Sequence, residues 1–283
     1  MITHMLTRLA TAFLLATLPQ LSAQFSFTEN GGNLELHHGE DLITALRTDY
    51  RFPFLYPVHS PSGANITRNW PMNPDTPDED RDHPHHRGIW LAHGSVNGYD
   101  FWADTGKKNP TIRLNSITDK QVKNGIAQLT ADLTWTAETK ELLQETRSYT
   151  FSKPNPETLR VKGPTAKSTL TNSNDDTNLA AWGKRANWAT YIGPDELGKP
   201  AVVAIINHPS SFRYPTHWHA RDYGLLAANP FGIHDFEKKK DENLGNHTLR
   251  KTESITLSHS VIIHHGTLET AKLDEIFNSL AKP

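Results

Sequence analysis

The chain has 283 residues, a net charge of −2 and no cysteine, which excludes disulfides, thiolate metal sites and a cysteine nucleophile. Its 29 basic and 31 acidic residues are mixed along the sequence, so no basic stripe for nucleic acid stands out. Sixteen histidines and seven tryptophans are the unusual features of the composition.

Met1 to Arg8 carry a positive charge and no acid, Leu9 to Leu18 are apolar or small, and Leu21-Ser22-Ala23 follows. These are the n-region, h-region and cleavage motif of a secretory signal over residues 1–23. The apolar run is about half of the ~20 residues a spanning helix needs. A chain without a membrane span, exported to the periplasm or the extracellular space, is expected. Residues 24–283 carry no repeat and no low-complexity linker, which suits one domain.

Period-two patterns dominate that domain. Phe25–Glu29 and Asn33–His37 flank Asn30-Gly31-Gly32 as a hairpin. Strands are expected at Leu42–Thr48, Phe54–Val58, Gly88–His93, Ile112–Ile117, Ala127–Thr136 and Leu142–Phe151. Between them, Tyr56 to Asp82 is rich in Pro, Asn, Asp and Arg and reads as an ordered loop lining a cleft. Trp188–Ile192, Ala201–Asn207, Thr216–Ala227 and Ser254–His264 read as further strands, and Leu268–Leu280 as one helix. Many strands and one terminal helix predict an all-β fold, a large antiparallel β-sandwich.

Chemistry-bearing residues are concentrated in two segments. The first runs Asp82-His83-Pro84-His85-His86-Arg87-Gly88, followed by His93, Asn97, Asp100 and Trp102. With an extended backbone, His83 and His85 face the same way. The second is His217-Trp218-His219-Ala220-Arg221-Asp222-Tyr223. On a strand, His217, His219, Arg221 and Tyr223 share one face. A weaker patch, Trp182 to Trp188, offers Lys184 and Arg185 for an anion. Glu145 and Arg147 read as a surface ion pair.

Tyr56-Pro57, Asp82 to Gly88, His93-Gly94 and Asp100-Phe101-Trp102 resemble the N-terminal signature of the bacterial exported family of unknown function numbered 6807. Asn207-His208-Pro209, Arg213 to Thr216, Trp218-His219, Arg221 to Gly224 and Ala228 to Gly232 resemble its C-terminal signature. That family was once labelled "methane oxygenase PmoA", a membrane subunit that this chain does not resemble in hydropathy. The sequence departs from the family pattern around residues 152–178, where two strands are expected and a shorter, more polar segment stands.

The expected architecture is a supersandwich resembling that of galactose mutarotases, with both histidine segments on its concave face. The expected partner is a small molecule or oligosaccharide. For a carbohydrate hydrolase or lyase, His86, His93 and His219 are the candidates for proton transfer. Arg87 and Arg221 would orient the substrate, and Asp82 and Asp222 would fix histidine tautomers. Trp102, Asn97, Tyr223, Lys184 and Arg185 would bind substrate. A second reading places one divalent transition metal between His83, His85 and His217 or His219. A third is a non-catalytic carbohydrate-binding protein using Trp70, Trp102, Trp188 and Trp218 as platforms.

Overall fold

The computed structural model describes residues 24–60, 63–77, 79–103, 110–152, 168–194 and 200–282. The expected signal segment and most of the stretch expected to be shortened lie outside the described residues.

The chain opens as a meander. Strands β1 (Phe25–Asn30) and β2 (Asn33–His38) pair antiparallel across Gly31 and Gly32. Both glycines have positive φ, 58° and 83°, as a two-residue turn matched to strand twist requires. β3 (Asp41–Arg47), β4 (Phe54–Val58) and the short β5 (Ile89–Trp90) complete a five-stranded sheet in sequence order. A second meander joins β6 (Thr111–Lys123), β7 (Ile126–Ala137) and β8 (Lys140–Ser152). In β7, Ala127, Leu129, Ala131, Leu133 and Trp135 alternate inward, the pattern of a strand with one wet face.

A third sheet has the order β14-β11-β10-β9, from β9 (Thr169–Asn172), β10 (Trp188–Pro194), β11 (Pro200–Asn207) and β14 (His259–His265). A two-stranded hairpin, β12 (His217–Arg221) and β13 (Leu225–Asn229), stands beside it. Every pairing is antiparallel. The all-β antiparallel class expected from the sequence is the one found.

Helix is scarce. A single turn, α1 (Ile233–Phe236), follows β13, and the C-terminal helix is divided into α2 (Leu268–Ala271) and α3 (Leu273–Leu280). The division falls at Lys272, whose φ of 50° interrupts the right-handed path.

The sheets share core residues. Leu34, Leu46, Leu55 and Val58 of the first sheet cluster with Leu129 of β7 and Ala201 of β11. Trp188, Val202, Ala204 and Ile206 of the third sheet pack on Ala271 and Leu273, so the C-terminal helices cover that sheet.

Several elements differ from expectation. Thr216–Ala227 is two strands, because the chain reverses at Asp222 to Gly224, where Gly224 has a φ of 98°. The strand expected over Gly88–His93 keeps only Ile89 and Trp90. Strand β6 runs six residues past Ile117, held by its register with β7 although Thr118 to Lys123 is exposed and polar except at Val122. The Glu145–Arg147 pair is less exposed than a surface pair, at 15% and 10% for the side chains. Glu145 also accepts from the Trp135 indole at 2.7 Å, and Arg147 donates to the Pro53 carbonyl at 3.2 Å, so the pair ties β8 to β7 and to the residue preceding β4.

Candidate functional site

The loop before β5 is ordered from within. The Glu79 carboxylate accepts from the backbone N–H groups of Asn69 and Trp70, at 2.9 and 2.8 Å, and Tyr56 donates its hydroxyl to Asn69 at 2.8 Å. At its end the chain does not stay extended. His83 to His86 form a turn closed by the His86 N–H on the His83 carbonyl at 3.0 Å, with Pro84 in the second position that its fixed φ favours. His83 and His85 therefore do not project as on a strand. Their rings meet edge to face at 5.7 Å.

His83 is oriented by a carboxylate. Its Nδ1–H donates to Asp82 Oδ2 at 2.6 Å, while Arg68 donates to Asp82 Oδ1 at 2.7 Å. Partial burial works to raise the Asp82 pKa, but the hydrogen bonds from Arg68 and His83 outweigh it and the carboxyl lies below its ordinary range. An ionised carboxylate only accepts, so the Nδ1 facing Asp82 carries a proton.

Around this pair the first segment builds an aromatic wall. His86 lies against Trp90 and Trp102 at 5.7 and 5.6 Å between ring centres, and the two indoles meet at 5.5 Å. Asp100 sets the Trp102 backbone by accepting from the N–H groups of Trp102 and Ala103, at 2.7 and 3.0 Å.

The second segment closes on the same wall. On β12, Trp218 and Ala220 enter the core, while His219 and Arg221 face outward together. The His219 ring lies nearly parallel to Trp102 at 6.4 Å and edge-on to Trp182 at 6.3 Å. Arg221 places its guanidinium over Trp182 at 4.9 Å and donates from Nε to His219 Nε2 at 3.4 Å. Tyr223, in the turn beyond β12, stacks on His83 at 5.0 Å, and its ring centre lies 6.1 Å from that of His86. The two segments thus meet in one cluster.

Not every expected member is there. His217 is 1% exposed and engaged with Glu237 Oε1 at 3.0 Å, with its ring near Phe236. Among the described residues no group of three or more His, Cys, Asp or Glu side chains is arranged to hold a metal ion. His83, His85 and His217 do not form the ligand set expected of them. Arg87 lies over the Tyr50 ring at 4.7 Å. His93 rests on Phe231 at 4.8 Å. Asn97 is an exposed turn residue with a φ of 52°, and Asp222 is exposed beyond β12. Lys184 is exposed, whereas Arg185 donates to the Pro215 carbonyl at 2.9 Å and lies 3.7 Å from Glu237. Trp90, Arg68 and Phe236 belong to the surroundings of the site although the motifs did not single them out. Trp90 lay within an expected strand; Phe236 follows the second signature without any pattern of its own.

Burial keeps most of these imidazoles neutral. It pushes His86 down to about 3, helped by neighbouring His85, His83 and Arg68. His93 is lowered by burial against the opposing field of Asp100, and His219 by burial and then by Arg221. The three histidines expected to transfer protons are therefore neutral donors and acceptors rather than imidazolium acids. Outside the cluster, burial lowers His259 to about 4.

The stability consequence has a definite sign. Between the folded pKa and the ordinary value near 6.5, the unfolded chain binds more protons at His86 and His259. Their contribution to stability is flat above pH 6.5 or so and falls as pH drops toward 4. Thermal midpoints measured across this range should decline on the acid side, less steeply in a His259→Asn variant. An unchanged slope in that variant would remove His259 from the account.

A family model matches residues 33–163 and 157–278, which together span both histidine segments. The chain belongs to the DUF6807 family, a family of unknown function. The two matched stretches overlap at 157–163, inside the stretch where a departure from the family pattern was expected. No curated protein and no solved structure matches the chain.

Proposed function

We propose that this DUF6807 chain is an exported protein acting on a saccharide, with the cluster around His83, Trp102 and Tyr223 as its site. The observation that carries this reading is the Asp82–His83 hydrogen bond, 2.6 Å long, on an imidazole stacked against Tyr223. Flat indole and phenol faces beside neutral imidazoles suit a sugar ring, which has apolar C–H faces and a rim of hydroxyls. Support for export comes from the charged start, apolar run and Leu21-Ser22-Ala23 motif of the first 23 residues.

An imidazole whose Nδ1 is held by a carboxylate is a general base at Nε2. Burial raises the Tyr223 pKa, so its hydroxyl keeps its proton at neutral pH. These two groups fit an elimination. Nε2 of His83 takes a C–H proton beside a sugar carboxyl or carbonyl, and the C–O bond to the leaving oxygen breaks. The Tyr223 hydroxyl gives its proton to that oxygen. Retaining hydrolysis would instead use two carboxyls about 5–5.5 Å apart. Three carboxylates near this cluster are otherwise engaged, Asp82 with His83 and Arg68, Asp100 with the Trp102 and Ala103 N–H groups, and Glu237 with His217.

The test is incubation with neutral and uronate-containing oligosaccharides, reading the ultraviolet absorbance of a new double bond conjugated to a carboxylate. Turnover that disappears in Tyr223→Phe is expected. Saturable binding with no product would favour the non-catalytic reading, for which the Trp90–Trp102 platform is the supporting feature. No binding to any saccharide would sink both.

A further inference from the structure

Arg68 and Arg185 are each set against a carboxylate, Asp82 at 2.7 Å and Glu237 at 3.7 Å. Arg221 is not. Its Nε–H donates to His219 Nε2 at 3.4 Å, and its guanidinium lies over the Trp182 ring at 4.9 Å. Among the described residues no carboxylate is paired with it, although Asp222 is next in sequence and exposed. With Nε used on His219, the two Nη groups are left for a ligand.

Arg221 is held in place all the same. Trp182 beneath it meets Phe236 edge to face at 5.2 Å. The Phe236 ring sits so close to Gly232 that a methyl group there would displace it. Glu237, the next residue, engages His217 of β12, which fastens the aromatic platform to the strand that carries Arg221. The Tyr191 hydroxyl secures the backbone by donating to the Arg221 carbonyl and, at 3.1 Å, to that of Leu225. A charge held before binding loses little freedom on capture. A guanidinium is also a permanently charged planar fork that matches the two oxygens of a carboxylate.

The Arg221 charge is felt across the cluster. Burial raises the Tyr223 pKa, and Arg221 opposes it, against the weaker fields of Asp82 and Asp222. Burial and then Arg221 keep His219 neutral, and since its Nε2 accepts from Arg221, its Nδ1–H is left as a donor.

We propose that Arg221 is the carboxylate anchor of this site and that the saccharide it takes is a uronate, its acid group on the guanidinium beside His219. The assignment rests on the saccharide reading given above and narrows it. It also fits the elimination. When His83 takes the proton from the carbon beside the carboxylate, negative charge spreads onto that carboxylate, and the guanidinium stabilises it. The electron pair of the broken C–H bond forms the new double bond. The C–O bond at the next carbon breaks, and the leaving oxygen takes the Tyr223 proton.

The test is calorimetric titration of the full chain with trimers of galacturonate and of mannuronate, each beside its methyl ester. The ester keeps the skeleton and removes the charge. At least one acid trimer is expected to bind, and its ester roughly ten-fold more weakly. Added salt should weaken binding of the acid and not of the ester. In Arg221→Gln the acid should fall to the level of the ester, while the ester binds as it does to the parent. An ester that binds as well as its acid, or an Arg221→Gln variant that holds the acid like the parent, would overturn the anchor and leave the saccharide reading standing. Loss of the ester as well in a natively folded Arg221→Gln would make Arg221 a structural support, not an anchor. Binding of neither acid nor ester would overturn both readings. The acid and ester comparison needs no variant, so it decides the proposal even where Arg221→Gln fails to fold.

Discussion

His83→Ala is expected to lower turnover of a saccharide substrate by roughly 10²–10⁴-fold while leaving the fold intact. The size follows from the proposed role. His83 is the imidazole in the cluster with a carboxylate on Nδ1, and such an arrangement fixes the tautomer and favours the cation formed when Nε2 takes a proton. The ring is partly exposed, with 38% of its side chain accessible, so little core packing is lost on truncation. Asp82→Asn should keep the geometry but remove the charge, lowering kcat more than it raises KM. His86→Ala should instead act mainly on substrate binding, since a histidine held down to about 3 is neutral throughout the working range. Equal kcat in His83→Ala and the parent protein would remove His83 from the proposed chemistry.

Gly88→Ala is expected to cost about 3 kcal/mol of stability and to disturb the histidine cluster. Gly88 has a φ of 50°, and a methyl group there would lie 2.1 Å from the Leu55 carbonyl oxygen. That oxygen belongs to the backbone of β4, which is fixed by its neighbours in the sheet, so the displacement falls on the 83–88 turn. His86 and Arg87 precede Gly88 directly and would move with it. Urea unfolding should show the loss of stability, and titration with saccharide should show weaker binding. A variant as stable as the parent would mean that the β4–β5 contact adapts at little cost.

Much of this architecture was legible because its signals are local. Alternation in Ala127–Thr136 and the Asn30-Gly31-Gly32 turn are stated by neighbouring residues, and those elements stand where they were expected. The pairing of the histidine segments was also legible, through the density of titratable groups in each. What failed depended on distant partners. His217 looked like one more member of a polar face, but Glu237, which engages it, carries no sequence signal. The lowered pKa of His86, His93 and His219 had no local signal either, because burial beside Trp90, Trp102 and Phe231 is a property of the folded chain. His83 was expected to bind metal because a strand was assumed, whereas Pro84 makes a turn and leaves Asp82 as its partner. The divided hairpin β12–β13 and the long polar end of β6 were missed for a similar reason, since register with a neighbouring strand decides both.

The contact of Trp102 with His219 joins a residue of the first half of the chain to one far into the second. Long loops must close before such a contact forms, and closure of this kind is slow compared with local hairpins. A chain halted before β12 could form the first two meanders, yet it would have half a cavity wall and no Tyr223 over His83. Competence at this site is thus a late event in folding, withheld until nearly the whole chain has found its place.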